Sequence, residues 1–202
     1  MVIQMVLATD MSRHFDLLSQ FETQIVRNQE LRRKETAEMW LAMDDSQRRL
    51  VMQIPLKIAD LGHCSLPMKQ HTAWVRRLET EFFLQGDREK AAGLRASPLM
   101  DRDHAGLSAA ENQVGFFRVM IIPLFRAWVE VFPACLPLLQ QAEANLEHYT
   151  EAARRSKFDN MSPLSSVGNV STASPRKSKS AFRLVLGGRK TGDGQQQRSE
   201  DV

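Results

Sequence analysis

Residues 57–87 read KIADLGHCSLPMKQHTAWVRRLETEFFLQGD, and this stretch decides the predicted fold. It opens with the end of an apolar helix whose last carboxylate is Asp60. Gly62 is typical of a residue just beyond a helix, and the Ser-Leu-Pro sequence at 65–67 predicts a short connection. A second helix is predicted to begin near Lys69, so the stretch forms two consecutive helices joined by a turn.

The second of these helices carries an apolar stripe. Trp74, Leu78 and Phe82 lie four residues apart and therefore share one face of the helix. A carboxylate at a helix end, facing such a stripe, is compatible with a polar site covered by an apolar slot. The alternative is that Asp60 is a surface acid beside an ordinary core helix, because apolar stripes at this period usually line a core.

Length and composition indicate one domain with a real hydrophobic core. The chain has 202 residues, of which 43% are hydrophobic. The longest apolar run, at 119–125, ends at Arg126 and is far too short for a membrane span. The apolar start at 1–7 has no basic region, so it does not match a secretory leader. Cys64 and Cys135 have neither disulfide-framework nor metal spacing, and we therefore expect a reducing, cytoplasmic location.

The positive charge of the chain is concentrated near its C-terminus. Eight of the 27 basic residues and four of the 24 acidic residues lie at 156–202, which leaves a nearly neutral body. A body that binds nucleic acid would carry clustered basic residues, so we expect no nucleic acid among its partners. The segment 156–202 is rich in Ser, Gly, Lys and Arg and poor in apolar residues, which predicts a disordered basic tail.

Apolar spacing of three or four residues recurs through residues 1–155, and no alternating strand pattern appears. The fold class predicted is therefore all-α, a multi-helical bundle. Helices are expected over about 10–33, from Asp44 with a kink at Pro55, from a cap at Ser108, over 124–132 and over 138–154. Residues 88–105 are expected to form a largely irregular loop, because they combine Ser-Pro with an Asp-Arg-Asp sequence.

Six segments of the chain occur in an order that resembles one known family. They are VLATDMSRH at 6–14, KIAD at 57–60, Trp74, EFFLQGD at 81–87, Ser97-Pro98 with Asp101, and NQVGF at 112–116. Together they resemble the C-terminal half of the class I 3′,5′-cyclic nucleotide phosphodiesterase catalytic domain. The resemblance covers about residues 1–155 and leaves the tail outside.

This resemblance implies an all-helical domain that hydrolyses cAMP or cGMP with a zinc ion and a magnesium or manganese ion sharing a bridging hydroxide. By the same resemblance, Asp60 is the late metal-ligand aspartate, and Thr9 and Asp10 lie beside the metal pocket, where Thr9 would hold a water. The implied nucleotide-binding residues are Gln113 at the purine edge, Phe116 stacked on the ring, and Leu78, Phe82 and Met11 lining the slot. A glutamine amide both donates and accepts, so it suits either base and leaves cAMP or cGMP preference open.

The chain departs from the family in its histidines. The family's His-Asn-x-x-His and His-Asp motifs lie upstream of the matching region, and none of the five histidines here belongs to either. Asp60 is therefore the one metal ligand present, and the general-acid histidine is missing. We expect the N-terminal half of the domain to be the missing partner. His63 is expected to have a loop role, and His14 a structural or outer-shell role.

Two further functions remain open. The main alternative is a catalytically inactive helical module that keeps a nucleotide-binding or partner-binding surface. A third, in which the basic tail binds RNA or an acidic membrane, depends on residues 156–202 alone.

Overall fold

The structure is a computed structural model that describes residues 2–161, with side chains as far as residue 159. Within that range every regular element is a helix, which confirms the all-α prediction. The α-helices are α1 Val2–Leu7, α2 His14–Phe21, α3 Gln29–Arg32, α4 Thr36–Ala42, α5 Asp45–Asp60, α6 Met68–Ala91, α7 Ala110–Phe116, α8 Ile122–Val131 and α9 Leu136–Met161. In the part described, no helix is both long and apolar enough to cross a membrane.

Short turns of other helix types connect or extend these elements. The 3₁₀ turns are Met11–Arg13, Gly62–Ser65, Pro98–Met100 and Pro133–Cys135, and the π turns are Glu22–Val26 and Phe117–Ile121. The two π turns continue α2 and lead into α8, so each makes a wider turn inside a longer helical run.

The hydrophobic core lies where α2, α5, α8 and α9 meet. Its largest fully buried apolar side chains include Phe21, Ile54, Phe117 and Phe125. Burying a side chain of this size contributes roughly 1.5–3 kcal/mol. The Gly62–Ser65 turn, which follows Asp60, packs against both α6 and α9, so the end of α5 is fixed by the body of the domain.

Helix α5 begins where the sequence predicts. Asp44 accepts a hydrogen bond from the backbone N–H of Gln47, and the Gln47 side chain accepts one from the Asp44 N–H, which completes a capping box. Pro55 lies inside this helix, which runs on to Asp60. Its buried face therefore continues past Pro55, through Ile58, to the end of the helix at Asp60.

The single helix predicted over 10–33 is wrong in detail, because two polar side chains cap new turns inside it. Asp10 accepts a hydrogen bond from the Ser12 N–H at 2.8 Å, which starts a 3₁₀ turn before α2. Asn28 accepts from the backbone of Glu30 and Leu31 and starts α3. Short polar side chains compete with helical backbone hydrogen bonds in this way.

Three other boundaries differ from the sequence prediction. Helix α6 continues to Ala91 before the irregular segment, and α7 has Ala109 at its N-cap rather than Ser108. Ser108 instead donates its hydroxyl and its N–H to the Glu79 carboxylate. Helix α9 ends at Met161 rather than at 154, so the boundary placed at 155/156 falls inside a helix. The rest of the predicted tail, 162–202, lies outside the described residues.

Gly86 permits a close approach between α6 and the Pro98–Met100 turn. A Cβ atom at Gly86 would overlap the carbonyl carbon and oxygen of Met100, which are backbone atoms and cannot swing away. The same contact is flanked by ion pairs of Arg102 with Asp87 and of Lys90 with Asp101. The Gly-Asp pair in EFFLQGD is therefore explained by the docking of this turn.

We expect Gly86→Ala to lower the free energy of unfolding by about 2 kcal/mol, because the backbone of the turn must move away. The matched control is Gly62→Ala, since nothing lies within 4 Å of a Cβ added at Gly62. Urea unfolding of the two variants and the wild type measures the difference. Equal midpoints for Gly86→Ala and the wild type would contradict the close approach.

Candidate functional site

Lys57 ties the N-terminal segment of the chain to α5. Its side chain is fully buried, and its Nζ donates to the backbone carbonyls of Ala8, Thr9 and Asp10 at 3.2, 3.2 and 3.1 Å. One turn earlier on the same helix, Gln53 Nε2 donates to the Gln4 carbonyl at 3.1 Å. The Thr-Asp segment predicted to lie beside the metal pocket is therefore held on the helix that ends at Asp60.

Two carboxylates surround the Lys57 ammonium. Burial lowers the pKa of Lys57, while the nearby charges of Asp60 and Asp10 oppose that shift. The pKa of Asp10 is itself lowered, mainly by the hydrogen bond from the Ser12 backbone and next by the Ser12 side chain. Both carboxylates are exposed, so the cluster is a buried cation with two acids on its solvent side.

Thr9 uses its hydroxyl hydrogen within its own turn, where Oγ1 donates to the Val6 carbonyl at 2.8 Å. The oxygen keeps its capacity to accept a hydrogen bond. The role predicted for Thr9, holding a water of the metal pocket, is therefore restricted to accepting from that water.

His14 lies on the inner side of this cluster. Its ring is fully buried, and burial, followed by the Lys57 charge, lowers its pKa to about 4. The imidazole is therefore neutral at pH 7. An uncharged, enclosed ring matches the structural or outer-shell role expected of it and does not suit a general acid that exchanges protons with solvent.

The residues described do not by themselves fit a centre of two metal ions. Asp60 is an exposed carboxylate, which suits zinc, magnesium or manganese, and Asp10 is its acidic neighbour at Lys57. Within residues 2–159, the one group of three ligand side chains that share a small volume is His63, Cys64 and His71, and Asp60 is not in it. Each divalent ion needs several ligands, so Asp60 would supply only part of one coordination shell.

The amide pair Asn112 and Gln113 holds the loop that precedes α7. Asn112 Nδ2 donates to the carbonyls of Ala105 and Gly106 at 3.0 and 2.8 Å. Gln113 Nε2 donates to the Leu107 carbonyl at 2.7 Å. Gln113 is almost fully buried, and its Oε1 has no hydrogen-bond partner in the part of the chain described. A purine edge would therefore reach this amide only after the side chain turns outward.

The residues predicted to line a nucleotide slot share one property, which is partial exposure. They are Met11, Leu78, Phe82 and Phe116. Trp74, at the start of the stripe on α6, is 46% exposed. The buried positions of α6 are instead His71, Val75 and Gly86, so the stripe is not the core-facing side of this helix. The stripe is therefore not an ordinary core stripe, and the nucleotide slot at these residues stays a prediction.

The structure joins the predicted site residues in two groups. Thr9, Asp10 and Asp60 meet around Lys57, whereas Gln113 lies against His71, whose ring stacks on His63. His63 follows Asp60 by three residues, so the two groups are close to each other in the sequence at this point. Two surface clefts, one on α9 around His148 and one around Arg126, contain none of these residues. The family resemblance also predicts that Asp60, Thr9, Gln113 and Phe116 share one concave face, and this stays a prediction.

The sequence analysis did not identify Lys57, which holds the Thr9–Asp10 backbone, or His71, which lies against His63 and Gln113. A signal for Lys57 was present, because it lies three residues after Ile54 and four before Leu61, on the buried face of the helix. A lysine at such a position needs several acceptors. The sequence carried no comparable signal for His71.

Comparison with known proteins places the chain in one family. The model of the 3′5′-cyclic nucleotide phosphodiesterase family matches residues 1–142. The chain is 39% identical over 151 residues to 3′,5′-cyclic-AMP phosphodiesterase 4C of Rattus norvegicus, which covers 74% of this chain and 27% of the relative. It is 34% identical over 150 residues to a probable 3′,5′-cyclic-AMP phosphodiesterase of Caenorhabditis elegans, covering 73% and 21%. The chain thus spans about a quarter of the length of these relatives.

Solved structures give the same result. The phosphodiesterase domain of Salpingoeca rosetta rhodopsin phosphodiesterase superposes with a TM-score of 0.64 at 28% identity, over 80% of this chain and 47% of that one. LmjPDEB1 in complex with IBMX superposes with a TM-score of 0.62 at 28% identity, over 76% and 42%. The chain therefore belongs to the 3′,5′-cyclic nucleotide phosphodiesterase family.

Proposed function

We propose that this chain contributes the C-terminal half of a catalytic domain that hydrolyses 3′,5′-cyclic nucleotides to 5′-nucleotides in cyclic nucleotide signalling. The observation that supports this most directly is the tethering of Thr9 and Asp10 to α5 by Lys57. It brings two separate family segments, 6–14 and 57–60, to one cluster with Asp60 on its exposed side. Cytoplasmic cAMP or cGMP is the proposed substrate.

The complete domain is proposed to bind a zinc ion and a magnesium or manganese ion, which activate water for attack on the phosphodiester. Asp60 is the one ligand that we assign to this chain. The remaining ligands and the general acid would come from a partner segment carrying the family's histidine motifs. In this arrangement Lys57 holds the Thr9–Asp10 backbone, and Asp60 is free to face the ion because it lies outside the core.

The nucleotide base is proposed to lie along the half-buried side chains of α6 and α7. Phe116 would stack on the ring, and Leu78, Phe82 and Met11 would contact its other surfaces. Gln113 would give and receive hydrogen bonds at the base edge. Its Oε1 is the atom that lacks a partner in the part of the chain described, so it has an acceptor to offer when it turns outward.

A second candidate function is a helical module that binds a nucleotide or a partner without hydrolysing it. This candidate is favoured because, within residues 2–159, Asp60 belongs to no group of side chains that could together hold a metal ion. Only the first candidate hydrolyses the cyclic nucleotide, but both bind a nucleotide in the same slot. Binding of a nucleotide therefore tests what they have in common.

We expect the chain to bind cAMP or cGMP in an NMR titration, and we expect Gln113→Leu to weaken that binding about tenfold. The loss corresponds to about 1.4 kcal/mol for hydrogen bonds that leucine cannot make. Gln140→Leu, at an exposed position of α9, is the matched control and should bind as the wild type does. Unchanged affinity in Gln113→Leu, with circular dichroism confirming its fold, would contradict the assignment of the base edge to Gln113.

A further inference from the structure

His63, Cys64 and His71 form a compact cluster of ligand side chains that the proposed function does not use. His63 Nδ1 lies 3.2 Å from His71 Nδ1, and Cys64 Sγ lies 3.9 Å from His63 Nδ1. One ligand atom from each of the three residues lies within 4.8 Å of the others. The cluster spans the Gly62–Ser65 turn and the first turns of α6.

These spacings are close to those of ligands around one tetrahedral ion. Zinc–nitrogen bonds of about 2.0–2.1 Å and zinc–sulfur bonds of about 2.3 Å place ligand atoms roughly 3.3–3.6 Å apart. The nitrogen–nitrogen distance of 3.2 Å already fits, whereas the sulfur, 3.9 Å from His63 Nδ1 and within 4.8 Å of the His71 ligand atom, needs to move inward. His63 is partly exposed, which leaves a route for the ion and room for a water as fourth ligand.

The surroundings hold the cluster in place. Asn145 is buried, and its Nδ2 donates to the carbonyls of Cys64 and Leu66 at 2.9 Å each, which fixes the turn. The rings of His63 and His71 are stacked with 8° between their planes, so the partly exposed His63 ring has to turn out of the stack before both Nδ1 lone pairs point at one ion. Phe117 and Tyr149 pack edge-on against His71, at centroid distances of 5.3 and 5.7 Å. His71 and the Cys64 turn are therefore held in place, and His63 is the ligand that moves when an ion binds.

His71 Nε2 and Gln113 Oε1, which are buried beside the cluster, have no hydrogen-bond partner among the residues that the structure describes. His71 Nδ1 lies 3.0 Å from the His63 carbonyl, to which it donates in the tautomer that carries the ring hydrogen on Nδ1. Its Nε2 is then an acceptor, and the neighbouring Gln113 Oε1 is an acceptor too. A cation on Nδ1 moves the hydrogen to Nε2, which can then donate to Gln113 Oε1. One ion would therefore satisfy both atoms, as metal-bound histidines commonly do through their second nitrogen.

The protonation states suit a soft divalent cation. Burial, and next the charge of His71, lowers the pKa of His63 to about 4, and burial also lowers the pKa of His71. An imidazole binds a metal through the lone pair of a ring nitrogen that carries no hydrogen. Burial raises the pKa of the Cys64 thiol, so the free side chain is protonated. Coordination replaces that proton, which leaves to solvent, and a thiolate ligand selects zinc-like ions over magnesium.

We propose that His63, Cys64 and His71 form a binding site for one zinc-like divalent cation, separate from the pocket that contains Asp60. If the proposed function is correct, this ion also opposes binding of the nucleotide base, because His71 Nε2 would donate to the Gln113 Oε1 and hold inward the amide that the base needs turned outward. The cation site itself does not depend on that function, since its three ligands bind no nucleotide.

The test uses cobalt(II), which reports thiolate ligation by a charge-transfer absorption band. The 202-residue chain, freed of metal with a chelator, is titrated with Co²⁺ and then with Zn²⁺ in competition. We expect one cobalt per chain, with the thiolate band, displaced by zinc. Cys64→Ser should abolish the band, and His63→Asn and His71→Asn should weaken cobalt binding at least 100-fold. Gln113→Leu should weaken it about 10-fold, as outer hydrogen-bond partners of a metal-bound histidine do.

Two control variants test whether the band arises from these three side chains. Cys135→Ser removes the other cysteine, and Asp60→Ala removes the carboxylate assigned to the separate metal pocket; both should keep the full band. Absence of the band from the wild type, or its loss in either control, would overturn the proposal. His63 is partly exposed, so His63→Asn is the variant expected to keep the fold, and zinc should raise the melting temperature of the wild type but not of this variant. A failure of hydrolysis with an intact cobalt site would affect the proposed function alone.

Discussion

The 202-residue chain is expected to release no 5′-nucleotide from cAMP or cGMP above the level of its Asp60→Ala variant, even with excess zinc and magnesium. Asp60 is one carboxylate, and the described side chains place no group of ligands around it. Water completes a coordination shell only when the protein already fixes several ligands. His14 is buried and neutral, so it cannot replace the missing general acid.

A version extended by a segment with the family's His-Asn-x-x-His and His-Asp motifs is expected to turn over, and Asp60→Ala should then lower kcat by about a thousandfold or more. Asp159→Ala, at an exposed position of α9, is the matched control and should leave the rate unchanged. Release of 5′-nucleotide is measured for both lengths of the chain, each as the wild type and as the two variants. Asp60-dependent hydrolysis by the 202-residue chain would show that its own residues complete the metal site.

Much of the fold could be predicted because helices repeat their apolar contacts locally. The start of α5 and the helical stretch 69–87 follow from capping residues and from spacing within a few positions. The break of the predicted helix at 10–33 follows from Asp10 and Asn28, whose side chains cap new turns. Such side chains can accept hydrogen bonds from the backbone in place of the helical carbonyls. Whether the chain continues as one helix or breaks at the cap then depends on tertiary packing, which the spacing of apolar residues does not reveal.

The site was less accessible to sequence analysis, because its decisive contacts join distant residues. The hydrogen bonds from Lys57 cross 47 to 49 positions of the chain. Resemblance identified Asp60 and Gln113 as site residues, yet it said nothing of the inward position of the Gln113 amide or of His71 beside it. His63 was expected to have only a loop role, whereas its ring stacks on that of His71. These features depend on how α5, α6 and α7 are placed together.

Lys57→Met is expected to lower the free energy of unfolding by about 3 kcal/mol and to release the Thr9–Asp10 segment from α5. Methionine keeps the buried apolar stem but gives no hydrogen atoms to the carbonyls of Ala8, Thr9 and Asp10. Each unsatisfied buried carbonyl costs roughly 1–3 kcal/mol. Part of this cost is offset, because a buried ammonium is no longer desolvated and the carbonyls nearer the surface can turn to water.

The structure allows the local effect of Lys57→Met to be separated from general destabilisation. Lys69→Met, at an exposed position of α6, is the matched control and should change urea unfolding by less than about 0.5 kcal/mol. Because the Lys57 charge helps to lower the pKa of His14, its removal should raise that pKa from about 4 toward the ordinary range in an NMR titration of the folded variant. Faster hydrogen exchange should be confined at first to the amides of residues 8–14, since Lys57 is the link that binds this segment to α5. An unshifted His14 together with unchanged exchange would mean that Lys57 does not hold the Thr-Asp segment beside Asp60.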